Sequence, residues 1–223
     1  MCFSAGASFA GGTLLSAVGI ATAKKMKNPS LKLFAAIPGL FAIQQFSEGI
    51  LWLTLKSGGY DRLQSAATYT FLLFALIIWP TLIPLAVLKM EELKSRRKLL
   101  KALLGTGILV SAYYTFCLVT FNVEPQIRDS HIQYVNNFPE KFSLPAFGLY
   151  VIATIVPLFI SSIRKMYLFG VLVFISCLIT GVFYKEYLTS VWCFFAALIS
   201  VVIYYIVSLY PEEKESCQLK TQL

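Results

Sequence analysis

The stretch "AIQQFSEGILWL", residues 42 to 53, sets Gln44, Gln45 and Glu48 inside apolar sequence. A carboxyl group can carry a proton, ligate a cation or accept charged hydrogen bonds. Two carboxamides add both donors and acceptors. Gln44 and Glu48 are four residues apart, and Gln45 and Glu48 three apart. On a helix all three share one face, with Phe41 below and Trp52 above. A second candidate is Cys2, directly after the initiator methionine. Removal of Met1 would leave a thiol and a free amine on one residue. That pair can chelate a soft or borderline metal or act as a nucleophile with a built-in base.

The elements that position these groups are membrane spans. The 223 residues are 57% hydrophobic and only 13% charged, where soluble domains carry about 25% charged residues. A spanning helix needs roughly 20 mainly apolar residues. Seven runs qualify: 3–23, 32–55, 65–88, 102–121, 144–163, 167–184 and 187–210. The expected fold is an all-α integral membrane protein, a single seven-helix transmembrane domain over residues 1–210 with a short cytoplasmic tail, 211–223. The lysines after the first run and the lack of a basic segment before it point to a retained helix rather than a cleaved signal.

Charge sets the expected orientation. Fourteen of the nineteen lysines and arginines fall in alternate loops and the tail, in the clusters 24–32, 89–101, 164–165 and 214–220. The positive-inside rule puts these in the cytoplasm and the N-terminus outside, in a plasma or inner membrane. The net charge of +8 is thus an orientation signal, and no nucleic-acid partner is expected. The basic run "KMEELKSRRKLLK" reads as orientation plus contact with anionic headgroups of the lipid bilayer. The loop 122–143, with the sole histidine His131, lies outside.

Within this frame Glu48 is the only carboxylate inside any span. It lies seven residues before Leu55, about 10 Å below the outer end at ~1.5 Å per residue. An ionised carboxylate there costs on the order of 3 kcal/mol, so it must face the bundle. Either it serves a site, or it and the glutamines form a clasp between helices. In the first span Ser4, Ser8, Gly12 and Ser16 recur every fourth residue, a small-residue ridge that lets helices approach closely. The hydroxyls of Ser4 and Ser8 face a neighbour, and the second helix is nearest in sequence. The prolines of "WPTLIP", Pro80 and Pro84, remove backbone donors and should bend the third helix. Of the five cysteines three lie in apolar runs and read as small buried hydrophobes, and no disulfide framework is visible.

The opening "MCFSAGASF" and the later "AIPGLFAIQQFSEGILWL" resemble an uncharacterised family of multi-pass membrane proteins. Its members begin Met-Cys-Phe-Ser-Ala and carry a Gln-Gln-x-x-Glu-Gly-x-x-Trp segment in the second helix. The matching positions are Cys2, Phe3, Ser4 and Ala5, then Gln44, Gln45, Glu48, Gly49 and Trp52. The resemblance covers the first quarter of the chain. It implies the multi-pass fold and flags Cys2 and Glu48 without naming a chemistry.

Absent residues remove several functions. No span holds an internal lysine for a retinal Schiff base, and one histidine supplies neither a zinc cluster nor bis-histidine haem. The expected function is therefore a polytopic membrane protein with an outer-half polar pocket around Glu48 that binds or senses a small ligand or metal ion. Its lining residues are Gln44, Gln45, Glu48, Trp52, Ser4 and Ser8, with Cys2 and Glu48 as the candidate metal ligands. Two alternatives stand beside it. One is a membrane-embedded enzyme with Cys2 and Glu48 as catalytic groups, the glutamate being a general acid or base. The other is a proton-coupled transporter with Glu48 as the carrier.

Overall fold

The first two long helices run antiparallel and in close contact. Helix α1 (Ala5–Lys25) and helix α2 (Lys32–Ser57) are joined by a short 3-10 turn, Pro29–Leu31. The computed structural model describes residues 4–210, so Cys2 and the tail 211–223 lie outside the described residues. The buried face of α1 is Ser8, Gly11, Gly12, Leu15, Gly19 and Thr22. A Cβ on Gly19 would come within 3.0 Å of the Gly39 backbone of α2, and one on Gly12 within 2.9 Å of the Phe46 ring. The Phe9 ring fills the space over Gly49 in return. Small residues at this spacing are what allow such an approach.

Helix α3 spans Asp61–Met90. It is α-helical over Asp61–Leu72, widens to a π-helix at Leu73–Ile78, and is α-helical again over Trp79–Met90. The prolines explain where its spare carbonyls go. In the π segment the Trp79 amide bonds back five residues to Phe74. The next residue, Pro80, has no amide to give Ala75, and the Tyr150 hydroxyl donates to that carbonyl instead, at 2.7 Å. The Ser111 hydroxyl donates to the Ile77 carbonyl, also at 2.7 Å. Pro84 likewise leaves the Pro80 carbonyl without its donor four residues on. Gly107 of the next helix approaches that oxygen so closely that a Cβ there would sit 1.9 Å from it.

Helix α4 is Lys94–Thr120. It begins eight residues before the run at 102, because Lys, Arg and Leu are all good helix formers and the basic segment continues the helix. An antiparallel hairpin follows, β1 (Val123–Arg128) and β2 (His131–Asn136), with Arg128 paired to His131. Its two-residue turn, Asp129–Ser130, has positive φ at both positions, 45° and 61°. That is the turn whose twist suits a hairpin. Helices α5 (Glu140–Ile160) and α6 (Met166–Phe183) and the segment α7 (Lys185–Ser208) complete the chain. Segment α7 opens with a 3-10 turn, Lys185–Tyr187, and is helical over Leu188–Ile199 and Val201–Ser208.

Among the described residues there are thus seven long helical segments, and six are long and apolar enough to cross a membrane. The remaining one, α2, carries the glutamines and the glutamate. Successive helices pack on one another, and α1 closes against α7. Fourteen of the 26 residues of α2 are buried, so the helix that carries these polar groups lies in the interior. Large apolar side chains such as Leu109, Phe116, Val119, Val182 and Phe183 point outward.

At the end opposite the hairpin, Glu91 ties two connections together and is 1% exposed. Its Oε1 accepts from the Leu93 amide at 3.0 Å and the Ser162 hydroxyl at 2.6 Å, and its Oε2 from the Ser162 amide at 2.7 Å. Arg96 donates to the Ile160 carbonyl at 2.8 Å, and Arg97 to the carbonyls of Leu88 and Glu91 at 3.0 and 2.7 Å. These two arginines of the basic run therefore cap helix C-termini, where cations are favoured. Burial pushes the Glu91 carboxyl up, but the Ser162 and Leu93 donors and the nearby Arg96 charge outweigh it and hold it below its ordinary value.

Two outcomes follow. Gly107→Val should lower stability by about 1 to 3 kcal/mol, the usual cost of overpacking. Gly105→Ala, where nothing lies within 4 Å, should not; thermal midpoints in detergent check this. Because the folded-state value of Glu91 is depressed, its contribution is present above the ordinary value of 4.5 and is lost as pH falls below it. The midpoint of the wild type should drop on acidification through that range, and Glu91→Gln should flatten the drop.

Candidate functional site

Gln44, Gln45 and Glu48 are all fully buried, at 0% exposure. Each faces a different neighbour. Gln44 Oε1 accepts from the indole Nε1 of Trp79 on α3, at 2.9 Å. That indole stacks on Phe41, with ring centroids 4.0 Å apart. Glu48 Oε1 accepts from the hydroxyl of Ser190 on α7, and Ser190 is itself fully buried. Gln45 turns toward α1, with its Oε1 3.8 Å from where a Gly11 Cβ would stand. The three side chains thus connect α2 to α3, α7 and α1.

The Gln45 carboxamide has no hydrogen-bond partner on Nε2 or Oε1, and the Ser8 hydroxyl has none either, though both residues are 0% exposed. The α1–α2 contacts at Phe9–Gly49 and Gly12–Phe46 bring Ser8 to the depth of Glu48. Trp52, one turn above Glu48, is 1% exposed, and its indole Nε1 is unpartnered too. It packs under the hairpin with Leu51, Ala67 and Ile132. The Lys56 ammonium sits 5.4 Å from its ring centroid, within reach of a cation–π contact.

The hairpin closes this end. Its fully buried Ile132 covers Trp52, and Tyr134 stacks on Phe71 with centroids 5.1 Å apart. His131 stacks on Tyr187 at 4.7 Å, its Nδ1 lies 2.7 Å from the Asp129 carbonyl oxygen, and the Tyr187 hydroxyl donates to Asp129 Oδ2 at 3.0 Å. The hairpin's histidine is therefore part of the fastening between hairpin and α7.

Of the site residues expected from sequence, Gln44, Gln45, Glu48, Trp52 and Ser8 come together in one buried cluster. Ser4 is occupied otherwise: it is the N-cap of α1, its hydroxyl accepting from the Ala7 amide at 3.2 Å. Cys2 falls outside the described residues. Among the described residues no group of three or more His, Cys, Asp or Glu side chains gathers as a metal site. Cys117, Cys177 and Cys193 are free and buried. Sequence spacing pointed to neither Trp79 nor Ser190 as the specific partners. Trp79 stood out only as part of the proline segment, and no local spacing marks Ser190.

A small cavity of about 50 Å³ lies beside the cluster, with almost wholly apolar walls that include Phe41, Trp79, Tyr150, Trp192 and Cys193. Gln44, Gln45 and Glu48 do not line it. The arrangement holds a carboxyl group, a carboxamide with both ends unmet and a hydroxyl in water-excluded surroundings. It can exchange a proton or take a small polar group by hydrogen bonds that water does not compete for. Ser190→Ala should cost about 0.6 to 2 kcal/mol, the worth of an interhelical hydrogen bond, with Ser190→Thr restoring most of it. Thermal midpoints of the two variants check this.

No match was found among curated proteins, and none among solved structures. A family model described as "Family of unknown function (DUF6629)" matches residues 1–217, and the chain belongs to that family.

Proposed function

We propose that this chain is a polytopic membrane protein with an occluded polar site between α1, α2 and α7 that binds or senses a small polar ligand or ion. Seven spans cross the bilayer, with the N-terminus and hairpin outside and the Glu91 end in the cytoplasm. The apolar outward faces of the helices support insertion, and the clustering of basic residues at the Glu91 end supports the orientation.

One observation carries the site. The Gln45 carboxamide is fully buried with neither its nitrogen nor its oxygen bonded. A clasp spends its polar groups on each other, as the Gln44 Oε1 does with the Trp79 indole. An unmet buried polar group costs about 1 to 3 kcal/mol, and Gln45 has two, while the Ser8 hydroxyl of α1 is unmet as well. A ligand that offers a donor and an acceptor offsets that cost on binding. Closure by the hairpin over Trp52 makes this the sealed form of the site.

A second reading, proton coupling through Glu48, is favoured by its partner. The Ser190 hydroxyl can donate to the carboxylate and accept from the acid, so it serves both protonation states. The enzymatic reading adds Cys2 as nucleophile or metal ligand. An enzyme loses activity in both Cys2→Ala and Glu48→Gln, whereas a transporter tolerates the first.

The deciding experiment is native mass spectrometry of detergent-purified wild type and Gln45→Leu, with thermal midpoints of each. The wild type should retain a small bound species that the variant loses. A wild type carrying nothing, together with a variant more stable than it, would overturn the binding site.

A further inference from the structure

A second site lies away from the Gln45 cluster. A cleft of about 790 Å³ opens between the hairpin and helices α3, α4, α5, α6 and α7. Its size is within the roughly 300–1,000 Å³ of small-molecule sites. Its chemistry changes with depth. Glu140, Lys185 and Glu186 line it where α5 and α7 begin, and all three are exposed. Phe147 lines it seven residues along α5 from Glu140, about 10 Å deeper at ~1.5 Å per residue. Leu72 and Leu76, one turn apart on α3, and Leu188 complete the apolar walls. Charge at the mouth and hydrocarbon at the floor match a molecule with one polar end and one apolar chain.

The charges at the mouth narrow the polar end. One ammonium, on Lys185, stands with two carboxylates, on Glu140 and Glu186. A purely anionic head would meet more repulsion than attraction, and an uncharged head would use neither sign. A head carrying a phosphate and an ammonium engages both. Aromatic side chains supply a further contact: Tyr114 and Phe138 line the same cleft with ring centroids 6.4 Å apart. Ring faces attract cationic ammonium groups.

We infer that this cleft binds a single-chain zwitterionic phospholipid, with its phosphate at Lys185, its ammonium toward Glu140 and Glu186, and its chain against Phe147, Leu72 and Leu76. This assignment uses no residue of the Gln45 cluster, so either can fail alone.

The test titrates the full chain, in a neutral maltoside detergent, with lysophosphatidylcholine and with lysophosphatidylglycerol of equal chain length, read by native mass spectrometry. The zwitterionic lipid should form a saturable one-to-one adduct at about tenfold lower concentration than the anionic one. Glu140→Lys with Glu186→Lys, both at exposed positions, should reverse that preference. Leu76→Trp should block both lipids. Binding of the two lipids at equal concentration, adducts that never saturate, or a preference unmoved by the charge reversal would each overturn the assignment.

Discussion

A carboxylate in an apolar interior has to be met by donors brought from other elements, and the arrangement of this bundle follows from that requirement. Glu48 sits at the centre of α2 and is met by Ser190 from α7. Gln44, one turn away on the same face, is met by Trp79 from α3. For both bonds to form, α2 must lie inside, with α3 and α7 against it. Helix α1 covers the face that carries Gln45, and it approaches closely because its buried face is mostly glycine and serine. The helix that carries the buried carboxyl and carboxamides is therefore among the most buried, although such groups are usually exposed.

The same demand recurs in α3. Its two prolines and π-helical turn leave carbonyls without backbone donors, and the neighbours supply replacements from Tyr150 and Ser111. A third, on Pro80, lies against Gly107, where a side chain would collide with it. At the far end Glu91 gathers amides and a hydroxyl from two connections, while Arg96 and Arg97 take up helix-terminal carbonyls. Polar pairing, beside shape, ties α2 to α3 and α7, and α3 to α4 and α5.

Much of this was legible in the sequence. Apolar runs of about 20 residues locate the helices, and the cost of a bare carboxylate predicts that Glu48 is turned inward. The spacing of Gln44, Gln45, Glu48 and Trp52 gives their shared face. The rest was hidden for physical reasons. A partner 142 residues away, as Ser190 is from Glu48, leaves no trace in local spacing. The hairpin read as a loop, because its strands are six residues long with few apolar positions and its Asp129–Ser130 turn lacks glycine. The start of α4 read as a loop because it is basic, although its residues favour a helix. Ser4 has the same chemistry as Ser8, and only its place at the helix start commits it to capping.

The separation between Glu48 and Ser190 also bears on how such a chain is made. A ribosome completes α2 long before α7 exists. While four further helical segments are made, the carboxyl group waits without the hydroxyl that finally holds it. Only α1 is already present at that stage, and its Ser8 stands at the same depth. The serine left without a partner in the finished bundle thus belongs to the one helix that accompanies α2 from the start.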